Sequence, residues 1–432
     1  MRLLSSPTFS FAVVTLWLLA FPMAGPLQAG NMHPDALLLF LVPHIISLVL
    51  FVLLPPKDLK ALTTAGIVLA ISATLVYAFF PRLTAGAIVL SGVGGAGALV
   101  HAGVQVGAGN NPPKAAGLGL ILANLLLLLI TQLPLPDAAK LAFVAILLGL
   151  PLFGTLIIRP RAAMKPLRYL LPFIFIYHLV AGFLYGFLLP LYQQDSWING
   201  SELICYCLAV LIAWALFMRH RFVPLFAGVL LAIISCILLY PMTTTGINLG
   251  MWTMQGASGC VDLFLIAFLV TQKDPARAFA AGCATICSGI LAGALLSGGL
   301  QGHPPALIFS GSVVLNLAAI SLFLLYRRHE EQSPPKEKLT EKLPIHLAQR
   351  LSERECMVLQ QVQEGARYQD VALKLSISES SVKTYMNRIY EKTGMRGKKQ
   401  LLAYIDDQKS ASAADTAGLV TDEELEKEGN QT

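Results

Sequence analysis

Twelve apolar segments, each near the length of a bilayer-spanning helix, follow one another through the first 326 residues. They run approximately over 8–28, 36–54, 61–80, 83–105, 116–133, 141–158, 169–190, 203–218, 222–240, 249–270, 278–299 and 305–326. About 20 apolar residues at 1.5 Å per residue match a hydrocarbon core of roughly 30 Å, and only helices satisfy their own backbone there without water. The expected fold class is therefore all-α, a polytopic membrane bundle of about 12 transmembrane helices. Charge marks where it ends: 21 charged residues fall in the first 326 and 35 in the last 106. An ordinary soluble enzyme, a disordered chain and a secreted disulfide scaffold are excluded by this pattern. The net charge of +6 comes from the bundle, since the tail carries 17 Lys and Arg against 18 Asp and Glu.

Loop charge sets the expected orientation, because Lys and Arg are retained on the cytoplasmic side. One side of the twelve segments carries fourteen basic residues, from Arg2 and Lys57 to Arg327 and Arg328; the other carries Arg82 and Lys140. The C-terminal tail is thus expected in the cytoplasm. The first segment also reads as a signal peptide with a small-residue end near Ala29. Insertion from a first span favours its retention. The most basic loop, Arg159 to Arg168, divides the bundle as six plus six. In layout this resembles the major-facilitator transporters, although the loop after the second segment reads PPKDLK and lacks that family's Asp-Arg-x-Gly-Arg pattern. The resemblance implies a central cavity lined by helices one, four, seven and ten, which would bring Trp17, His101, His178 and Asp262 toward one space. Glycines at 92, 94, 95 and 97, and the pairs Gly103 with Gly107 and Gly289 with Gly293, read as points of close helix packing.

An Asp at a helix centre costs roughly 2.5 to 3.5 kcal/mol on insertion scales, so an intramembrane acid marks a candidate site. Asn248, Gln255, Ser258 and Asp262 recur at helical spacing on one face, and His178, Gly182 and Tyr185 do so on the seventh segment. The candidate small-molecule site is His178, Tyr185, Gln255, Ser258 and Asp262. The competing reading is an Asp–His pair that only joins helices. His44, Asn124 and Asn316 read as interhelical hydrogen bonds, and Trp214 and Trp252 as interfacial anchors. The seven cysteines lie mostly in apolar runs, and none stands at metal-ligand spacing with His or carboxylate. No cofactor, metal or catalytic constellation is expected.

Beyond the bundle, residues 327–346 are polar and interrupted by Pro334, Pro335 and Pro344, the pattern of a linker. Residues 409–432 read as a disordered acidic tail. Between them, 347–408 carries short helical units. Ser352 with Glu355 forms a capping box, Gly365 ends the first helix, Tyr368 to Leu375 makes a second, and Ser378 caps a third over Glu379 to Thr393, with Val382, Ile389 and Tyr390 inward. A fourth near Lys398 to Ile405 buries Leu401, Leu402 and Ile405. From Lys383 to Lys399 six basic residues face the single acid Glu391. A helix, tight turn and basic second helix can enter the major groove.

The stretch Leu351-Ser352-x-Arg354-Glu355, Val358-Leu359, Gly365, Asp370-Val371-Ala372, Leu375, Ile377-Ser378-Glu379, Val382-Lys383, Asn387-x-Ile389, Lys392, Gly394 and Arg396 resembles the LuxR-type helix-turn-helix domain of bacterial regulators. It departs from that pattern at Glu353, Ser376 and Tyr385. The resemblance implies binding of double-stranded DNA as a homodimer through the helix Glu379 to Thr393. By position Ser381, Lys383, Thr384 and Asn387 would make base or mixed contacts, and Arg388, Lys392, Lys398 and Lys399 mainly phosphate contacts. The whole chain reads as a membrane-tethered one-component regulator whose lipid-embedded bundle senses a small molecule or membrane condition. The alternative is a secondary transporter with an attached DNA-binding domain; an intramembrane enzyme comes last.

Overall fold

The structure is a computed structural model that describes residues 6–408 except 24, 32, 34, 54–55, 159–163, 300–303, 333–346, 348–349 and 376. The prolines of the linker, the tail after 408, Arg2, Arg159, Arg161 and Ser376 therefore lie outside the described residues. Every described element is a helix, and the chain divides into two compact units, Met1–Leu325 and Tyr326–Thr432.

The first unit is built from α1 (Pro7–Ala20), α2 (Ala36–Leu53), α3 (Leu59–Phe79), α4 (Thr84–Ala108), α5 (Pro112–Gln132), α6 (Asp137–Leu147), α7 (Lys165–Asp195), α8 (Ser201–Arg219), α9 (Val223–Leu239), α10 (Thr244–Val270) and α11 (Pro275–Gly299), with α12 (Pro304–Gln332) following. Among the described residues, eight helices are long and apolar enough to cross a membrane by length and composition; Pro7–Ala20, Val223–Leu239 and Ile308–Leu324 are shorter apolar helices. The main contacts among α1 to α5 repeat when each helix number is advanced by six. In the first half α1 lies on α5 and α4, and α4 on α2 and α3; in the second, α7 lies on α11 and α10, and α10 on α8 and α9. Of the contacts that join the halves, α2 with α11 exchanges with α5 with α8 under the same shift, and α4 with α11 exchanges with α5 with α10. The six-plus-six plan is thus a property of the packing.

Two segments are shorter as helices than their apolar runs suggest. α1 stops at Ala20 because Pro22, Gly25 and Pro26 follow, and the chain continues as a 3-10 turn over Pro26–Asn31. α6 stops at Leu147, where Gly149 and Pro151 convert the path into the 3-10 turn Leu150–Phe153. Even so, α1 is integral to the core, with Phe11 and Trp17 fully buried.

Close helix approach uses glycine where the sequence places it. A Cβ on Gly289 would come 2.6 Å from Phe175 O, and one on Gly293 would overlap the Leu179 carbonyl, so α11 meets α7 backbone to backbone. Gly94 and Gly97 do the same for α4 against α3 at Ala70 and Gly66.

The second unit holds α13 (Glu353–Gln363), α14 (Tyr368–Leu375), α15 (Glu379–Thr393) and α16 (398–408). Its core gathers Leu351, Val358, Leu359, Val362, Val371, Val382, Ile389, Leu401 and Ile405, with Met386 between Val382 and Ile389. That triplet at intervals of four and three sets which face of α15 turns inward. Gly365 and Gly394, at φ 84° and 71°, end α13 and α15 in the left-handed conformation that a side chain would resist.

Candidate functional site

On α15 the burial of Val382, Met386 and Ile389 leaves Lys383, Thr384, Asn387, Arg388 and Lys392 exposed, and Lys398 and Lys399 are exposed at the start of α16. Ser381 is half-buried: its backbone N–H donates to the capping Ser378 Oγ at 3.0 Å, and its hydroxyl lies 2.8 Å from the same atom. Thr384 Oγ1 donates to Ser380 O at 2.9 Å. Lys383 Nζ pairs with Glu379 Oε1 at 2.9 Å on the exposed surface, and Lys398 Nζ sits 6.0 Å above the Tyr368 ring.

Lys392 has a further role that its spacing does not announce. Its Nζ donates to Glu355 Oε2 at 2.7 Å, and the same oxygen accepts Ser352 N–H at 2.7 Å, completing the capping box of α13. Glu355 is 3% exposed. Burial opposes its ionisation, but the hydrogen bonds from Lys392 and Ser352 outweigh that and hold its carboxyl below the usual carboxylate range. One buried carboxylate thus fixes α15 against the first turn of α13.

In the bundle the five candidate residues meet different partners. Asp262 accepts the Tyr206 hydroxyl of α8 at 2.9 Å through Oδ2. His178 is buried and donates from Nδ1 to Ile174 O at 2.8 Å, one turn back on its own helix, so Asp262 and His178 are not hydrogen-bonded partners. Ser258 lines a small cleft with Tyr177, Leu184, Ala232, Met254 and Leu315. Gln255 is half-buried, and Tyr185 is 41% exposed. Tyr206 and Tyr177 were missed in the sequence, because an aromatic inside an apolar run gives no polar periodicity.

The other inward polar groups have local partners. Trp17 Nε1 donates to Thr74 Oγ1 at 2.9 Å, and His101 Nδ1 lies 3.1 Å from Thr63 Oγ1. His44 Nδ1 donates across to Gly92 O at 2.9 Å. Asn124 and Asn316, expected to bond between helices, instead donate to Leu120 O and Ser312 O four residues back. A short amide reaches its own preceding turn more readily than a neighbouring helix. Trp252 does not stand alone as an interfacial anchor: its Nε1 donates to Ser201 Oγ at 2.9 Å and its ring meets Trp197 edge-on. Among the described residues no three His, Cys, Asp or Glu side chains are grouped to hold a metal.

Residues 349–405 match the family described as bacterial regulatory proteins, luxR family. The C-terminal domain is of the LuxR type. Over 58 residues the chain is 41% identical to the uncharacterized transcriptional regulatory protein YxjL of Bacillus subtilis (strain 168), a stretch that is 13% of this chain and 27% of that protein. The chain therefore spans about a quarter of the length of this curated relative. The bundle resembles the human organic anion transporter MFSD10 (TETRAN), with a TM-score of 0.55 at 14% identity over 74% of this chain and 99% of that one. It resembles the major-facilitator transporter FucP in its outward conformation at a TM-score of 0.54 and 14% identity, over 75% and 98%. At that identity the likeness is one of fold.

Proposed function

We propose that this protein is a membrane-tethered one-component transcriptional regulator: the bundle senses a small molecule or membrane condition, and the LuxR-type domain binds promoter DNA. The observation that carries this reading is the joining, in one chain, of a major-facilitator bundle and a LuxR-type DNA-binding domain. In this reading the bundle lies in a bacterial inner membrane with the C-terminal domain on the cytoplasmic side, as the fourteen-to-two distribution of loop Lys and Arg favours. Ser381, Lys383, Thr384 and Asn387 face base edges, and Arg388, Lys392, Lys398 and Lys399 face phosphates. The protein acts as a homodimer on DNA, since paired half-sites lie about 34 Å apart, one helical turn. Ligand binding alters the bundle or its pairing and so changes promoter occupancy.

Genome-wide occupancy of the tagged full-length protein, compared with transcription in a deletion strain, tests the reading. Discrete sites beside genes whose expression changes support it; absence of specific sites across growth conditions overturns it. Lys383→Ala and Asn387→Ala are expected to abolish promoter response while membrane insertion persists.

A second reading is a secondary transporter that carries a DNA-binding regulatory domain. It is favoured by the coverage of nearly the full length of two solved transporters. Uptake of a defined solute, lost in Asp262→Asn while DNA binding remains, would support transport.

A further inference from the structure

Two carboxylates in the second half of the bundle are held by phenols. Asp262 accepts the Tyr206 hydroxyl at 2.9 Å, and Glu202 accepts the Tyr192 hydroxyl at 3.0 Å. Among the described residues no Lys, Arg or His lies within 4.0 Å of either carboxylate. From 169 to 272 the sequence contains just two basic residues besides histidine, Arg219 and Arg221, both at the end of α8 away from Glu202. An intramembrane carboxylate without a counter-charge is costly, so it awaits either a proton or a cation.

The surroundings favour an organic cation. On α10, Trp252, Gln255, Ser258 and Asp262 follow at intervals of three, three and four, and so share a face. On α8, Glu202 and Tyr206 stand one turn apart, and α8 packs along α10. The seam between them begins with an acid beside two indoles, Trp197 and Trp252, and reaches the second acid about 15 Å deeper at 1.5 Å per residue. Beside this seam, one turn before Asp262, the Ser258 cleft is walled by Tyr177 and Leu184 of α7, Ala232 of α9, Met254 of α10 and Leu315 of α12, and offers apolar contact. Hard metal ions gather six or more oxygen ligands, which this aromatic and aliphatic lining does not supply. An ammonium group needs few acceptors and is also attracted to aromatic faces.

We propose that this seam and the Ser258 cleft beside it bind an organic ammonium compound with an apolar body, received at Trp197 and Trp252 and held with its nitrogen at Asp262 and its apolar body in the cleft. The proposal rests on the reading that the bundle senses a small molecule and names the class of that molecule.

The test is thermal melting and binding by the full-length protein in lipid nanodiscs, with benzylammonium, butylammonium and tetramethylammonium chloride as probes. Benzyl alcohol, sodium benzoate and sodium chloride at equal ionic strength are the controls. At least one ammonium probe is expected to raise the melting temperature when the controls do not. Asp262→Asn is expected to weaken its binding by about tenfold or more, and Tyr206→Phe by less. If Asp262→Asn does not fold, Glu202→Gln at the mouth of the seam is expected to weaken binding measurably. No response to any of the three probes, an equal response to benzoate or sodium chloride, or undiminished binding by a folded Asp262→Asn or Glu202→Gln protein overturns the proposal. Binding without any change in promoter activity would retain the site and remove the sensing role. A promoter response to another compound, with no ammonium binding, would retain sensing and remove the ligand class.

Discussion

The two units turn opposite chemistry toward their surroundings. The bundle exposes many large apolar side chains, such as Leu53, Ile146, Leu230 and Ile237, while His44, His101, Gln105 and Asn124 are buried. In the C-terminal unit Val358, Leu359, Val371 and Val382 are fully buried, and the exposed side of α15 is Lys383, Thr384, Asn387 and Arg388. The same rule, that each group seeks its matching solvent, produces both patterns once hydrocarbon replaces water around the first unit. The difference teaches that cohesion has different sources. In water, apolar burial drives the small unit together; in lipid, where the tails are as apolar as leucine, close backbone approach and interhelical hydrogen bonds hold the bundle.

If backbone approach carries the bundle, the largest loss should follow from filling it. Gly293→Leu, set against the Leu179 carbonyl, is expected to cost about 4 kcal/mol or prevent folding altogether. Size-exclusion profiles of detergent-extracted protein should show aggregation, while hydrogen exchange in 353–393 stays protected. The converse change is Met386→Ala, which opens a cavity in a side chain 1% exposed and is expected to cost about 3 kcal/mol. Here exchange should accelerate across α13 to α15 and the bundle should keep its melting temperature.

A smaller effect is expected of Glu355→Gln, about 1.5 kcal/mol, because the capping acceptor survives and the ion pair with Lys392 is lost. The pH dependence has a definite sign. A carboxyl held below its unfolded value stabilises the fold above that unfolded pKa, near 4.3 for Glu, and the contribution disappears as pH falls through the lower folded value. Exchange protection of α13 and α15 in the wild type should therefore fall in acid below about pH 4, and Glu355→Gln should flatten that part of the profile. Smallest is Ile237→Leu on the lipid-facing surface, expected within about 0.5 kcal/mol by detergent melting. A large loss there would show that this face is buried against something other than lipid.

Much of this was legible in the sequence because the periodicities are strong. The apolar runs located the helices, Ser352, Glu355 and Gly365 marked the ends of α13, and Ser378 marked the start of α15. The shortening of α1 and α6 was harder to read, since hydropathy continues through Pro22 and Pro151 where hydrogen bonding does not. Met386 escaped as a core residue because flanking polar positions obscured its place between Val382 and Ile389. In the bundle, Asp262, Ser258 and Gln255 stood out as polar exceptions, whereas Tyr206, which actually meets Asp262, merges with its apolar neighbours. Long-range pairs of this kind depend on which helices lie side by side, and one sequence carries no direct record of that. Lys392 shows the same limit: its charge was visible, and its engagement with Glu355, 37 positions earlier, was not.

That engagement changes how the protein should respond to salt. A lysine that meets a phosphate normally releases a condensed counterion from DNA, and the count of such lysines sets how steeply affinity falls with ionic strength. Lys392 already has an internal anion, so it draws less from the ionic atmosphere than its position suggests. The DNA affinity of this domain should accordingly decline less steeply with salt than the tally of basic residues on α15 and α16 implies.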